Sequence, residues 1–275
     1  MKEICKIKKA YKYLKKRTDI VPETVVVLGS GLGDVAEGIE FGQSFEFGEI
    51  PYIKKSTTPY HDGRLIFGKL NGKSVAITSG RIHLYEDNSP NDVVRLIRVL
   101  SLLGAKRIIL TNSAGAINGE YKVGDIVQII DHVSIFVPSP LSGDIRREIG
   151  TKLDFTDMTK VYDEVIIEKS RKVAGELNME LKSGVYVQLR GAQYETPSEI
   201  KLLRKLNCDL VGMSTVVEAI ASRHLGLDVC AFSTVTNMAS GIENVTLSHE
   251  EVKLVAKETS KKLKDFIVRL IENLD

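Results

Sequence analysis

Two polar clusters follow predicted strands, and both have the chemistry to hold an anion. Gly80-Arg81-Ile82-His83-Leu84-Tyr85-Glu86 joins a guanidinium fork suited to phosphate with a histidine donor and an aromatic ring. In an extended chain, alternation sends Arg81, His83 and Tyr85 to one side. Gly29-Ser30-Gly31-Leu32-Gly33 follows a buried strand, and its consecutive N–H groups make either an anion nest or a structural tight turn. Its spacing is G-x-G-x-G, not the dinucleotide-binding G-x-G-x-x-G, and Pro51 stands where an acidic strand end is expected. Gly72-Lys73-Ser74 only imitates a P-loop, because Phe67 replaces its first glycine and a strand follows.

Three further strand ends carry related signals. Arg107–Thr111 runs into Asn112-Ser113-Ala114-Gly115-Ala116, small residues that open backbone donors to a ligand. Asp209–Met213 runs into Ser214-Thr215 and a helix carrying Glu218, and Val229–Thr236 runs into Asn237. An asparagine amide there either ties down a loop or reads a heterocycle edge, since it both donates and accepts. Glu195, after Tyr194 and two residues before Pro197, is either a helix-start carboxylate or an acceptor for a ring N–H, with Tyr194 stacking on that ring.

The elements that must position these groups alternate in type. Val25–Leu28, Val75–Thr78, Arg107–Thr111, Asp125–Ile130, Val185–Leu189, Asp209–Met213 and Val229–Thr236 read as strands, several of them apolar on consecutive positions as strands covered on both faces are. Ile4, Ile7, Tyr11 and Leu14 share one face of a lysine-rich terminal helix, read as docked on the core rather than lying on a membrane. Ser89 and Pro90 open a second helix with the stripe Val93, Val94, Ile97, Leu100 and Leu103, stopped at Gly104. Pro197 opens another, with Ile200 and Leu203 inward, and Ser248 with Glu251 caps a long final helix carrying Val252, Val255, Leu263 and Phe266. The expectation is an α/β fold: residues 1–275 as a single domain around a mixed, largely parallel, twisted central sheet flanked by helices. The tract from Phe136 to Tyr162, with Pro138, Pro140, Ser142 and Gly143, reads as a binding loop or a contact with another subunit.

Composition narrows the class. The 275 residues are 43% hydrophobic and 27% charged, with a net charge of +2, too even to collect nucleic acid by field alone. No apolar run approaches the ~20 residues that span a bilayer, and Met1–Arg17 lacks the apolar stretch of a secretory signal. Cys5, Cys208 and Cys230 lack metal-ligand spacing and are odd in number, so neither a disulfide framework nor a zinc site is indicated. A cytoplasmic enzyme with no nucleic-acid or membrane partner is the expectation.

Gly29–Gly33, Gly80–Glu86, Thr111–Asn118, Tyr194–Pro197, Gly212–Thr215 and Val235–Asn237 stand in the order found in trimeric purine nucleoside phosphorylases, and the chain resembles that family from Val25 to its last helix. The resemblance implies phosphorolysis of a purine (deoxy)ribonucleoside to free base and (deoxy)ribose 1-phosphate. Inorganic phosphate would be the cosubstrate, with no metal or organic cofactor, and the enzyme a homotrimer. Ser30, Arg81, His83, Ser214 and the Ser113 N–H would hold phosphate, with His61 covering it. Tyr85, Met213 and His249 would contact the sugar, and Phe155 would enter the neighbouring subunit's site. Ala114, Tyr194, Val211 and Gly212 would line the base pocket, Glu195 would bind N1–H, and Asn237 would reach O6 and N7. His83, Glu86 and Asn237 would be the catalytic residues.

Asn237 and His249 imply 6-oxopurine nucleosides with an unmodified 5′-hydroxyl, because relatives acting on 5′-methylthioadenosine usually carry Asp and an apolar residue there. Three departures from the family stand out: Asp87 for Gly, Ala192-Gln193 for a Pro-Ser or similar pair, and Val217 for Pro. The Gln193 change leaves xanthosine or a broadened specificity open. The methylthioadenosine branch, a nucleoside hydrolase-like activity and a non-catalytic nucleoside or phosphate sensor on the same fold are the alternatives. His132 and His224 match no functional position and read as structural.

Overall fold

The computed structural model describes residues 1–29, 38–57, 63–143, 145, 155–242 and 249–274. Its strands are β1 (Thr24–Val27), β2 (Glu40–Glu46), β3 (Arg64–Leu70), β4 (Lys73–Ser79), β5 (Arg107–Ala116), β6 (Ile126–Val133), β7 (Leu181–Gln188), β8 (Leu210–Gly212) and β9 (Asp228–Met238). The helices are α1 (Glu3–Lys15), α2 (Pro90–Leu102), α3 (Glu164–Glu176), α4 (Pro197–Lys205), α5 (Val216–His224) and α6 (His249–Glu272). All seven expected strands are present, β8 being shorter than expected. The antiparallel strands β2, at the edge, and β3 beside it, and helix α3, have no counterpart in the sequence reading.

The strands form one sheet in the order β2-β3-β4-β1-β5-β8-β7-β6-β9, with β5 also pairing β9. Strands β5, β8, β7, β6 and β9 therefore close a ring, from which β1, β4, β3 and β2 extend as an open wing. Parallel pairings join β1 to β4 and β5, β5 to β9, β6 to β7 and β7 to β8. The pairings β2–β3, β3–β4, β5–β8 and β6–β9 are antiparallel. Strand β1 shows why its run is continuously apolar: Val25 and Val27 enter one hydrophobic cluster while Val26 and Leu28 enter another across the sheet.

The caps read from sequence are in place where described. Ser89 Oγ accepts the Asp92 N–H at 3.2 Å and the Asp92 carboxylate answers the Ser89 N–H at 3.1 Å, with Pro90 at the first helical position. Such a cap stabilises a helix by about 1 kcal/mol. Helix α1 docks on the core through Ile7, Ala10 and Leu14, all fully buried. The expected α2 stripe is buried too, together with an arginine that the stripe did not include. Arg95 is 1% exposed because Glu3 of α1 and Asp92 meet its guanidinium. The Ser248 cap of α6 lies outside the described residues, as does the Val252 side chain; Leu263 and Phe266 are fully buried.

Candidate active site

A cavity of about 430 Å³ opens where the ends of β5, β8 and β9 meet the segment after β4. That volume lies within the ~300–1,000 Å³ of small-molecule sites. The early anion cluster and the late Asn237 both line it, so the two halves of the chain converge on one cleft.

The segment after β4 builds one wall, though not as an extended strand. Gly80 takes a left-handed φ of 96°, and Leu84–Glu86 form a 3-10 turn. Arg81, His83 and Tyr85 still line the cavity, but a turn rather than alternation puts them there. The left-handed Asp87 (φ 59°) ends the turn, in a region that Asp tolerates better than most residues.

Arg81 lines the cavity and is also held by protein acceptors. Its Nη1 donates to Glu218 Oε2 at 2.9 Å and to Thr215 Oγ1 at 3.0 Å. Its Nη2 donates to the carbonyls of Val27 and Thr111. Both terminal nitrogens of the expected phosphate fork are therefore turned to protein acceptors, and the Arg81–Glu218 ion pair is buried at 3% exposure on each side. A buried guanidinium needs such a carboxylate; without one, its desolvation would be uncompensated. Glu218 also accepts the Thr215 N–H at 3.0 Å.

The hydroxyl network around Thr215 fixes where protons point. Thr215 Oγ1 accepts from Arg81 and from Asn112 Nδ2 at 2.9 Å, which uses both lone pairs. Its own hydrogen is left for Ser214 Oγ at 3.2 Å, so the Ser214 hydroxyl can donate toward the cavity that it lines. Thr215 holds a left-handed φ of 84°. Such strain in a threonine persists only where neighbours over-determine it. Two residues on, the Val217 N–H donates to the buried Gln188 Oε1 at 3.1 Å, a bond that a proline there could not make.

His83 is oriented from behind. Its Nδ1 and backbone N–H both meet Glu86 Oε1 at 2.8 Å, and its ring stacks on Tyr85 with centroids 4.6 Å apart. Desolvation alone would raise the Glu86 carboxyl, but hydrogen bonds from His83 and Thr57 hold it down at about 2. An ionised Glu86 requires the proton on His83 Nδ1, so the neutral ring carries its lone pair on Nε2. Burial lowers the His83 pKa below its ordinary value, with the Glu86 hydrogen bond opposing.

The opposite wall comes from β5, β8, β9 and the chain before α4. Ala114, Tyr194, Glu195, Val211, Gly212 and Asn237 all line the cavity, with Met213 beside them. Gly212 is dictated by packing, since a Cβ there would stand 2.3 Å from the Tyr186 hydroxyl. The register of β9 against β5 slips between Ala114–Val235 and Gly115–Asn237. This bulge lets the consecutive Thr236 and Asn237 both face the cleft, which strict alternation forbids. Asn237 Nδ2 donates to the Met238 carbonyl at 3.1 Å while Oδ1 accepts from Thr236 Oγ1 at 3.0 Å. The carbonyl demands an N–H, which settles the amide orientation and leaves one N–H of Nδ2 for a ligand.

Glu195 is not the cap of α4. Thr196 caps that helix and Glu199 returns the capping bond at 2.7 Å, leaving the buried Glu195 carboxyl at the cavity. Burial, with Glu199 adding to it, raises its pKa above the ordinary value. Gln193 is exposed and absent from the lining, so it is Ala192 rather than Gln193 that borders the cleft.

Seen together, the cavity offers hydroxyl and backbone donors with the imidazole Nε2 lone pair along one side and an amide and a carboxyl along the other. Residues 23–272 match the phosphorylase superfamily. Purine nucleoside phosphorylase 1 of Bacillus subtilis is 37% identical over 267 residues, covering 97% of this chain and 96% of the relative. The purine nucleoside phosphorylase of Bos taurus is 38% identical over 271 residues, covering 96% and 93%. This chain belongs to the purine nucleoside phosphorylase family. The crystal structure of the Schistosoma mansoni phosphorylase in complex with inosine superposes at a TM-score of 0.92 with 34% identity, covering 99% of this chain and 97% of that one. The schistosome phosphorylase with guanosine gives 0.90 at the same identity, covering 99% and 98%.

Of the remaining residues that the family resemblance singled out, Ser113 lines the cavity, whereas Phe155 is 85% exposed and does not. Ser30, His61 and the His249 side chain lie outside the described residues. His132 pairs with Tyr162 Oη at 3.1 Å and His224 with Thr156 Oγ1 at 2.7 Å, both packing roles. Thr57, Asn112, Thr236 and the Arg81 counter-ion Glu218 were not assigned roles from sequence. Only Glu218 had a local signal, three residues after Thr215 at capping-box spacing.

Proposed function

We propose that this protein catalyses reversible phosphorolysis of 6-oxopurine nucleosides such as inosine and guanosine, transferring the pentose from the base to inorganic phosphate. The observation that carries the reading is the convergence of His83 and Ser214 with Glu195 and Asn237 on one nucleoside-sized cleft. Phosphate lies against Ser214, His83 and the Ser113 N–H, with Ser30 and His61 completing its cradle. The Arg81 charge, largely balanced by Glu218, acts by holding Thr215 and hence Ser214 rather than by a direct fork.

The sugar lies between the walls against Tyr85 and Met213, with His249 at its 5′-hydroxyl. As the glycosidic bond lengthens, positive charge grows on the sugar and negative charge on the purine. Phosphate stabilises that cation from below and captures it at the anomeric carbon. Asn237 Nδ2 directs its remaining N–H at the O6/N7 edge, where the base's negative charge gathers, and the Glu195 carboxylate accepts N1–H. Glu86 keeps the His83 ring aimed at phosphate. Each step uses protein groups and phosphate alone, without a cofactor. In this reading the exposed Phe155 reaches the neighbouring subunit's sugar site in a homotrimer, and the enzyme works in the cytoplasm in purine salvage.

Incubating the protein with inosine, with and without phosphate, tests the proposal. Phosphate-dependent hypoxanthine and ribose 1-phosphate are expected. Release without phosphate identifies a hydrolase, binding without turnover a sensor, and either outcome removes the proposal.

A further inference from the structure

We infer that Thr57 is a positioning residue for His83, acting through the Glu86 carboxylate; the inference rests on the phosphate role assigned to His83 above. Thr57 lines the cavity, 29 residues before Glu86 in the chain. Its backbone N–H and its hydroxyl both donate to Glu86 Oε2, at 2.5 and 2.7 Å. The other oxygen, Oε1, receives the His83 backbone N–H and ring Nδ1, each at 2.8 Å. A carboxylate offers about four lone-pair sites, and here four donors fill them, two on each oxygen.

The consequence is rotational. Two donors on Oε1 alone leave the carboxylate able to pivot about that oxygen, and the imidazole pivots with it. Thr57 fixes the second oxygen and so the carboxylate plane. Stacking on Tyr85, 13° from parallel, fixes the ring plane from the other side. The charged groups facing this assembly are Arg81 and Glu218, which are paired with each other and leave Glu86 as the carboxylate that His83 answers to. Thr57 thus sets the direction in which the His83 Nε2 lone pair accepts the P–OH of a monoprotonated phosphate, without needing to touch phosphate itself.

Thr57→Val removes the hydroxyl donor and keeps the backbone one. Calorimetric titration with inorganic phosphate is expected to show binding weakened several-fold, because the ring is no longer held in its phosphate-facing direction. The phosphate KM rises with it, while the inosine KM stays at its wild-type value. Thr57→Ser, which keeps the hydroxyl, restores both. In a Glu86→Ala background, Thr57→Val adds nothing, because the group it acts through is gone. A full additional loss in that background overturns the inference, as does an equal rise in both KM values or a failure of serine to rescue. A wild type that binds phosphate without releasing base fails the proposed activity and leaves the binding arms decisive. A wild type that binds no phosphate removes both.

Discussion

Replacing Asn237 separates chemistry from phosphate binding. The native amide gives one N–H to the Met238 carbonyl at 3.1 Å, takes the Thr236 hydroxyl at 3.0 Å, and keeps one N–H for the purine. Asn237→Ala deletes that last donor where negative charge develops, and losing one such donor costs about 10²–10³ in kcat, or ~2.7–4 kcal/mol. The phosphate wall shares no hydrogen bond with this side chain, so the phosphate KM should stay within about threefold, as for independent sites. Asn237→Asp is more informative. A carboxylate oxygen would face the Met238 carbonyl across the same 3.1 Å, at a stability cost of ~1–3 kcal/mol for the unmet acceptor. That carboxylate cannot donate to O6 but can accept an exocyclic amine, so adenosine should rise relative to inosine. Initial rates on inosine, guanosine and adenosine across a phosphate series measure both effects. A phosphate KM that rises in step with the loss of kcat, or an unchanged substrate ranking in the aspartate variant, refutes the assignment of Asn237 to the base edge.

Three more outcomes follow from the geometry. Glu218→Ala strands the buried Arg81 guanidinium and should lower stability by ~3–5 kcal/mol in thermal or denaturant unfolding, against less than 1 kcal/mol if the pair were a surface contact. Because the folded Glu86 pKa is depressed to about 2 from 4.5, its contribution is fully present above pH 4.5 and lost as the pH falls toward 2. Glu86→Gln should therefore flatten that part of the wild-type acid-unfolding curve, and a superimposable curve contradicts the linkage. Phe155, at 85% exposure, should act in trans: mixing Phe155→Ala with Asn237→Ala subunits should regenerate sites with both residues intact, and mixed trimers without recovered activity count against it.

The parts legible in sequence were those with local causes. Strand β1 announces itself because every position of Val25–Leu28 is buried on one face or the other, and α2 and α4 carry their caps within four residues of their starts. Strand β2, with Glu40, Gly42, Gln43 and Glu46, is an edge with little apolar pattern to detect. Helix α3 follows the irregular tract that ends near Tyr162, and its buried face of Ile166, Ser170, Val173 and Ala174 is diluted by a serine and an alanine. In the site, residue identities were legible through the family likeness, but several connections were not. Arg81 meets Glu218 across 137 positions and Thr57 meets Glu86 across 29, contacts created by topology alone. Nor does period-two reasoning foresee the bulge that turns Thr236 and Asn237 to the same side.

The most direct test of the account is a crystal structure with a nucleoside and sulfate bound together. The purine edge should lie against Glu195 and Asn237, the anion against His83 and Ser214, and the anomeric carbon between them, facing the anion. A base seated away from Asn237, or an anion held outside this cleft while the nucleoside occupies it, contradicts the account.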